Sequence, residues 1–466
     1  MNGDIMIINK KIIYFLVAFL FVLRGCKDYV KHEHEYINGK CVCGKVQNVF
    51  HNVTFVDQGV VIKELDVLDN STLEEPYIEF KEGYNFLGWF NDENKWNFEE
   101  DLVNSQLILE AKWEALEYDL VFNTNGGTSI DTITYKYGDV INIESIPFKN
   151  YCIFLGWENL VETMPAYDLE ISAIWYDIRD EYKFDETGKI IKEYIGLETN
   201  IVIPSSYYLD GEIIEIEEIY AHAFEYVDIE SVEISEGIKV IHSSAFRGCD
   251  NLKNIVIPNS VLEIGSGAII SCFNVETISI PFTGQKADGS GNTYFGHIFG
   301  TYRYDRGYST TIPQTLKTII LTNGQEVYND SFMGCKFVRK IILPESIKKI
   351  GDYSFAECPN LLEINIPDGV ETIGKFAFSN CNLSEVKLPK SLKFLGNGAF
   401  SSNSILKSIF IPSNIEYVGS FIFNGNWYIE IYCEVGSKPD GWDQYWNYYS
   451  NGMEKEEHIV VWGYKE

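Results

Sequence analysis

Two histidines and two cysteines near the N-terminus have side chains that bind metal ions. His32, His34, Cys41 and Cys43 all lie within twelve positions. Two imidazoles and two thiolates can complete a tetrahedral Zn²⁺ site. The spacing therefore predicts a structural zinc knuckle in a linker at residues 26–50, where four protein ligands would leave no open position for catalysis. The alternative is a linker with a local disulfide or free thiols.

Cys26 follows a short apolar run that begins after two lysines. The run extends from residue 12 to residue 23, and Lys10 and Lys11 precede it. A run of this length is too short for a membrane-spanning helix, which needs about 20 residues. A basic flank before a short apolar core is typical of a secretory signal peptide. We therefore assign residues 1–25 to export and expect the mature protein at the cell surface or beyond it.

The end of this run, Leu23-Arg24-Gly25-Cys26, resembles a bacterial lipobox. In that motif the cysteine receives a lipid and becomes the first residue of the mature chain. The resemblance implies that Cys26 anchors the protein to the outer face of a membrane. Arg24 departs from the pattern, which has a small or apolar residue at that position. The alternative is an ordinary signal peptide followed by an unmodified cysteine.

The sequence offers no motif for catalysis. Gly-x-Ser-x-Gly, P-loop and dinucleotide fingerprints do not occur, and none of the seven histidines stands beside a nucleophile motif. The 466 residues include 37 basic and 68 acidic side chains, which give a net charge of −31. This charge argues against nucleic acid as a partner, because phosphate binding needs a basic surface. We therefore predict a non-enzymatic protein that requires no cofactor beyond a structural zinc ion.

The C-terminal half of the chain contains a repeated pattern of short predicted strands, and most of the remaining candidate residues lie on these strands. An apolar strand that ends in proline recurs there, and phenylalanine, often as Ala-Phe, recurs between the strands. One coil of about 23 residues buries too little apolar surface to fold alone, so coils of this period must stack. The pattern predicts a solenoid of about ten parallel strands at residues 180–435. The prolines that mark the period lie at 258, 281, 344, 367, 389 and 412.

This pattern resembles the BspA-type leucine-rich repeat. The resemblance implies that the phenylalanines fill the interior and that a cysteine or asparagine three positions later also turns inward. Residues 436–466 would then form a C-terminal cap, with tryptophans 442, 446 and 462 shielding the last coil. The cysteines expected to be buried and unpaired are Cys249, Cys272, Cys335, Cys358 and Cys381.

Alternation along each predicted strand leaves one side chain per coil that faces outward. Ser279 and Glu430 are expected in this row together with several apolar residues. An insertion at residues 282–309, rich in glycine and aromatic residues, interrupts the period. The residues that we expect to contact a protein partner are Val256, Ile320, Ile342 and Phe410 in the row and Tyr302 and Tyr304 in the insertion. The alternatives are strand propensity on a solvated face and packing of the insertion onto the solenoid.

Two shorter segments, 51–115 and 118–176, resemble each other. The first carries Gly-Tyr-x-Phe-x-Gly-Trp at 83–89, the second carries Phe-x-Gly-Trp at 154–157, and both end in Ala-x-Trp. These motifs resemble the internalin-type B-repeat, also called the Listeria–Bacteroides repeat. The resemblance implies small β-grasp-like modules that serve as a stalk. Their tryptophans are expected to anchor small cores.

The sequence thus predicts a mainly β protein with two β-grasp-like modules followed by a leucine-rich-repeat solenoid. Its expected function is adhesion or protein–protein interaction at a bacterial cell surface, with a protein of the host or of bacteria as the partner. The membrane is expected to be contacted only through the lipid anchor. The alternative is a protein that binds carbohydrate or cell wall through the aromatic residues of the insertion and the cap.

Overall fold

The computed structural model describes residues 36–37, 40–41, 47–302, 311–450 and 455–465. Five of the candidate residues lie outside this part of the chain: Cys26, His32, His34, Cys43 and Tyr304. Within the described residues, regular structure consists of 35 strands and two short 3₁₀ helices. None of the helices in this part of the chain has the length and apolar character that a membrane crossing requires.

The first module is a mixed five-stranded sheet. Its first and last long strands, Phe50–Asp57 and Leu107–Ala115, run parallel, and all other pairs are antiparallel. Phe55 and Trp89 pack edge to face at 4.9 Å in a core that excludes water, as expected for the tryptophan of the shared motif. A short hairpin, β1 (Tyr36–Ile37) and β2 (Lys40–Cys41), precedes strands β3 (Phe50–Asp57), β4 (Val60–Leu68), β5 (Tyr84–Asn91), β6 (Asn94–Lys95) and β7 (Leu107–Ala115), which are ordered β4-β3-β7-β5-β6.

The second module repeats this plan with four strands. Leu120 and Ile171 are fully buried between the strands, and the indole of Trp175 donates a hydrogen bond to the carbonyl of Thr124 at 2.8 Å. The strands are β8 (Glu117–Asn123), β9 (Ile133–Lys136), β10 (Cys152–Glu158) and β11 (Leu169–Asp177), in the order β10-β11-β8-β9.

The solenoid follows the second module in the chain. Its strands have two to five residues each, because the backbone of every coil turns after a short extended segment. Two 3₁₀ helices interrupt it, at Ile178–Asp180 and Phe295–Phe299. The strands are β12 (Tyr182–Phe184), β13 (Ile190–Tyr194), β14 (Asn200–Ile203), β15 (Ser206–Leu209), β16 (Glu212–Glu215), β17 (Glu218–Ile219), β18 (Ser231–Ile234), β19 (Val240–Ile241), β20 (Asn254–Val256), β21 (Glu263–Ile264), β22 (Thr277–Ile280), β23 (Thr318–Leu321), β24 (Glu326–Val327), β25 (Lys340–Ile342), β26 (Lys349–Ile350), β27 (Glu363–Ile364), β28 (Thr372–Ile373), β29 (Phe394–Leu395), β30 (Ser408–Ile411), β31 (Tyr417–Val418), β32 (Glu430–Cys433), β33 (Tyr448–Ser450), β34 (Lys455–Glu457) and β35 (Val460–Trp462).

Most coils contribute to two ladders rather than to one, and the strands of both ladders run parallel except for the antiparallel pair β12 and β13. The first sheet is the predicted ladder, and it runs β14-β18-β20-β22-β23-β25-β27 and then β30-β32-β35. The second sheet runs β12-β13-β17-β19-β21 and then β24-β26-β28-β29-β31. Most strands of the second sheet have only two residues, which is too short to leave a periodic apolar pattern, and the sequence therefore indicated one ladder only.

The interior matches the expectation from the repeat. The phenylalanines between the strands are buried and stack face to face along the solenoid. The rings of Phe355 and Phe378 lie 5.0 Å apart, and those of Phe378 and Phe400 lie 5.2 Å apart, with interplanar angles of 4° and 2°. A column of parallel aromatic rings thus fills the space between neighbouring coils.

Three residues after several of these phenylalanines, an inward-facing cysteine or asparagine donates a hydrogen bond to a backbone carbonyl. The thiol of Cys381 donates to the carbonyl of Phe355 at 3.2 Å, and the amide of Asn403 donates to the carbonyl of Phe378 at 2.8 Å. Each therefore satisfies the phenylalanine carbonyl of the preceding coil. The five cysteines predicted to be buried and unpaired are so, which confirms that prediction for Cys249, Cys272, Cys335, Cys358 and Cys381.

The first sheet is interrupted at a repeat that is one residue short. Leu383 follows Cys381 after one residue, whereas Leu361 follows Cys358 after two. Directly after this shorter turn, residues 386–388 form no strand and keep a single bridge, from Lys387 to Phe410. The predicted strand there is therefore wrong, because the shorter turn displaces the backbone that should continue the ladder.

The insertion and the C-terminal segment both pack onto the solenoid. Phe295 and Phe299 of the insertion are fully buried, as are Trp442 and Trp446 of the cap. The indole of Trp442 donates to the carbonyl of Ile415 at 3.0 Å. Strand β35 adds to the edge of β32, so the last coil of the first sheet is covered.

Near the start of the solenoid, a hairpin of strands β15 and β16 extends one coil. Asp210 and Gly211 at its tip both have positive φ angles, as a two-residue turn requires. The second module contacts this hairpin, because the amide of Tyr151 donates to the carbonyl of Tyr208 at 2.7 Å. Asn150 and Asp210 are also joined by hydrogen bonds. The second module and the solenoid accordingly belong to one compact unit.

Candidate functional site

The outer face of the first sheet holds four of the predicted partner-contact residues in one row. Strand register places one outward residue of each coil beside the next. We call this set the outer row, and its members are Val202, Glu233, Val256, Ser279, Ile320, Ile342, Asn365, Lys387, Phe410, Tyr432 and Val461.

The apolar members of the outer row are accessible to different degrees. Val256 is 41% exposed, whereas Ile320, Ile342 and Phe410 are half-buried. These four residues therefore stand on a rigid ladder, as their alternation predicted. Ser279 is buried instead of exposed, because the larger side chains of its register partners stand on either side.

The last part of the outer row differs from the sequence prediction by two positions. The Ile-x-Ile pattern at 429–431 imitates the repeat, but the structure pairs Phe410 with Tyr432 and not with Glu430. Counting 22 residues onward from Phe410 would have found Tyr432. The ring of Tyr432 lies 4.7 Å from that of Tyr464, which in turn lies 6.1 Å from Phe410. An aromatic cluster therefore ends the outer row.

None of the described residues of the insertion, 282–302, lies in the outer row. Tyr302 is 71% exposed and contacts His297, at 6.2 Å between ring centroids. The backbone of this segment hydrogen-bonds to Gly267 and Ile269, which lie in the turns and outside the first sheet. Tyr302 is thus accessible, but it is separate from the four residues that share the row.

The residues that flank the outer row are charged, and their pairing changes along the solenoid. Lys253 lies between Glu230 and Glu276 on neighbouring coils, and its ammonium is 3.1 Å from the Glu230 carboxylate. Farther along, Lys317 and Arg339 are neighbours, since the amide of Arg339 donates to the carbonyl of Lys317 at 2.9 Å. Neither of these two side chains forms an ion pair with any residue in the described part of the chain.

A cleft of about 480 Å³ lies where the first sheet is interrupted. Lys387 and Lys390 line it together with Phe410, and the carboxylates of Asp368 and Glu385 line it as well. The volume falls in the range of ligand pockets, about 300–1,000 Å³. The interruption thus creates a recess with cationic, anionic and aromatic groups beside the outer row.

The buried histidines are core residues that lie apart from one another in the chain. Burial lowers the pKa of His297 and of His458, and the Nε2–H of each ring donates to one backbone carbonyl, that of Ile264 at 3.1 Å and that of Phe423 at 3.2 Å. Burial also raises the pKa of the Cys433 thiol to about 12. Among the described residues, no three metal-binding side chains come together.

Of the proposed zinc ligands, the structure describes only Cys41. It lies in strand β2 and is buried. His32, His34 and Cys43 fall outside the described residues, and so does the proposed lipidation site at Cys26.

Comparison with known proteins identifies both kinds of repeat. Residues 215–291 and 325–439 match the BspA type leucine rich repeat region, in six copies. Residues 51–112 and 118–177 match the Listeria-Bacteroides repeat domain. Both resemblances seen in the sequence are therefore confirmed, and the chain combines the two repeat types of bacterial surface proteins.

Individual relatives share only parts of the chain. A protein of Evansella cellulosilytica, named as a membrane protein, is 36% identical over 119 residues, which cover 25% of this chain and 18% of that protein. Internalin H of Listeria monocytogenes is 28% identical over 92 residues, which cover 19% and 16%. The chain thus spans less than a fifth of the length of these relatives. A leucine-rich repeat protein of Bacteroides ovatus of known structure is 20% identical, with a TM-score of 0.30, over 55% of this chain and 70% of that chain.

Proposed function

We propose that this chain is a non-enzymatic bacterial cell-surface protein that binds a protein partner through the outer row and its flanks, and thereby mediates adhesion or protein–protein interaction. The observation that carries the proposal is the set of accessible apolar residues, Val256, Ile320, Ile342 and Phe410, on one ladder. A flat and regular face of this kind is how repeat proteins present a protein-sized surface. A few residues near the centre of such a face, above all aromatic residues and arginine, supply most of the binding energy.

The two Listeria–Bacteroides modules act as a stalk in this proposal. Their tryptophans support a structural role, because Trp89 is fully buried and Trp175 is hydrogen-bonded to backbone. A carbohydrate-binding function would need exposed aromatic platforms in the cap or the insertion. Trp442, Trp446 and Phe295 are instead buried, which leaves Tyr302 of the insertion and Tyr464 of the cap as exposed rings.

We also propose that residues 1–25 direct export and that Cys26 carries a lipid anchor. The basic and apolar pattern before Leu23-Arg24-Gly25-Cys26 supports this. A Cys26→Ala variant should move from the membrane fraction to the culture medium. Retention of the variant at the membrane in the same amount as the native protein would contradict lipidation.

A structural zinc ion remains a proposal for the linker. Thiolates and imidazoles are the ligands that zinc prefers, which supports His32, His34, Cys41 and Cys43 as its ligands. The purified chain should contain one equivalent of zinc by elemental analysis, and Cys43→Ser should lose it. A zinc-free native protein would contradict the proposal.

The function is tested by site-specific photo-crosslinking on intact bacteria. A photo-reactive amino acid replaces Val256, Ile342 or Phe410 in the full chain, and the matched control carries it at Thr372 in the second sheet. We expect a discrete protein adduct from the outer-row positions and none from position 372. Equal adducts from all positions, or adducts with glycan only, would contradict the proposed function.

A further inference from the structure

We infer that the outer face between Lys317 and Phe410 binds an extended acidic polypeptide segment that carries apolar side chains. This inference rests on the proposed function and adds the chemistry of the partner. Its basis is the distribution of charge along the solenoid, which neither repeat type specifies.

The sign of the net charge changes between two stretches of equal length. Residues 201–300 include 14 acidic and 4 basic side chains, whereas residues 311–410 include 9 acidic and 11 basic ones. The whole chain has a net charge of −31, so a stretch of 100 residues with excess positive charge is a local reversal. We call the first stretch the acidic half and the second the basic half. A reversal of this kind favours partners of the opposite sign at one place on the molecule.

Several basic side chains of the outer face form no ion pair with a described residue. Lys317 and Arg339 are backbone neighbours on coils about 4.8 Å apart, and the ammonium of Lys317 donates to the carbonyl of Gln314 rather than to a carboxylate. Lys340 is paired in register with Glu363. The basic residues that flank or belong to the outer row and form no ion pair with a described residue are Lys317, Arg339, Lys387 and Lys407.

Apolar groups lie between these charges. Ile320 and Ile342 are neighbours in register, and Phe410 ends the stretch beside the cleft. A partner that satisfies the whole face must therefore offer carboxylates and aliphatic or aromatic side chains together. Polypeptide provides both, whereas an anionic polysaccharide provides charge without apolar side chains.

The length of the face suits a short extended segment. From Ile320 to Phe410 the outer row crosses five coils, or about 19 Å at the ladder spacing of about 4.8 Å. An extended chain advances about 3.3 Å per residue, so about six residues cover this distance. The cleft of about 480 Å³ next to Phe410 has room for one large side chain of that segment, next to Lys387 and Lys390.

The test measures binding of a blocked, fluorescent 12-residue peptide that alternates glutamate and valine to the full chain, by fluorescence anisotropy. The outer-face variant combines Lys317→Gln, Arg339→Gln and Lys340→Gln. A matched control, Lys336→Gln with Lys348→Gln and Lys375→Gln, removes the same charge from exposed positions away from the first sheet. We expect the outer-face variant to weaken binding about tenfold and the control to weaken it less than about twofold.

Several results would overturn the inference. The first concerns charge: both variants weaken binding of the peptide equally, or a peptide with lysine in place of glutamate binds equally well. The second is binding that heparin fragments reproduce and that Ile320→Ser with Ile342→Ser leaves unchanged, because the partner would then be an anionic glycan. The third is self-association of the native chain that the outer-face variant abolishes, because the occupant would then be a second copy.

Absence of peptide binding by a folded native chain would also overturn the inference, with folding checked by circular dichroism. That result is distinct from failure of the proposed function. Protein adducts from positions 256, 342 and 410 would still support partner binding at the outer row. Loss of those adducts would remove the function and the inference together.

Discussion

The acidic half and the basic half of the solenoid have the same interior and opposite exteriors. Phe246 in the acidic half and Phe378 in the basic half are both fully buried, and each stacks on the phenylalanine of a neighbouring coil, Phe224 and Phe400 respectively. On the outer face, Lys253 forms an ion pair with Glu230, while Lys317 and Arg339 are neighbours that form no ion pair with a described residue. The comparison shows that the fold is determined by inward positions, which leaves the flanking positions free to differ in charge.

The largest expected effect tests whether the interiors are equivalent. Phe246→Ala and Phe378→Ala should each lower the free energy of unfolding by about 3–5 kcal/mol, because each leaves a cavity in the aromatic column. The measurement is urea unfolding followed by circular dichroism. Phe273→Ala is the control, since Phe273 is 57% exposed. A loss below 1 kcal/mol in only one half would show that the two interiors differ.

The next effect concerns the inward hydrogen-bond donors. Asn403→Ala removes the donor to the carbonyl of Phe378 and should cost about 1–3 kcal/mol, because buried carbonyls lose their partner. Asn403→Cys should cost less, since a thiol makes the equivalent bond in Cys249 and Cys381. Equal losses for both variants, measured by urea unfolding, would show that the two residue types are not interchangeable between the halves.

A smaller effect distinguishes the halves by pH. His297 is buried beside the acidic half, and burial lowers its pKa, whereas residues 311–410 contain no histidine. Below about pH 6.5 the unfolded chain takes up a proton at this site that the folded chain does not, so stability falls as the pH is lowered from 7 to 5.5. The melting temperature should fall over this interval, and His297→Gln should reduce the fall. An unchanged pH dependence in the variant would contradict the assignment.

The smallest effect concerns the outer face itself. Lys253→Gln removes an ion pair of 3.1 Å and should lower stability by about 0.2–1 kcal/mol. Arg339→Gln removes no ion pair with a described residue and should leave stability unchanged or slightly higher. Both variants are compared by thermal unfolding at low and high salt, because screening should abolish the first effect. A larger loss for Arg339→Gln would mean that the basic half is neutralised internally.

Inward features of the solenoid could be predicted from the sequence because they repeat. The period, the phenylalanine column and the buried cysteines each recur at fixed spacing, and burial permits few residue types there. The apolar outer-row residues followed from alternation within strands. The cap could be inferred because exposed strand edges and apolar ends need cover.

Other features depended on local geometry that a repeat does not encode. Two-residue strands such as Lys349–Ile350 leave no periodic signal, and the second sheet was therefore not expected. The sequence predicted Glu430 instead of Tyr432 in the outer row, because Ile429 and Ile431 imitate the repeat motif two positions too early. The charge pattern at Lys317 and Arg339 was also missed, because these residues are 22 positions apart in the chain and meet only when the coils stack.

The two sheets are interrupted at different coils, and this has a mechanical consequence. The second sheet stops at Ile264 and resumes at Glu326, where β22 and β23 of the first sheet remain paired. The first sheet is interrupted after Ile364, where β28 and β29 of the second sheet remain paired. A pulling force along the solenoid therefore meets a continuous row of backbone hydrogen bonds at either interruption. Separation of the coils at either place would require breaking the paired strands of the other sheet.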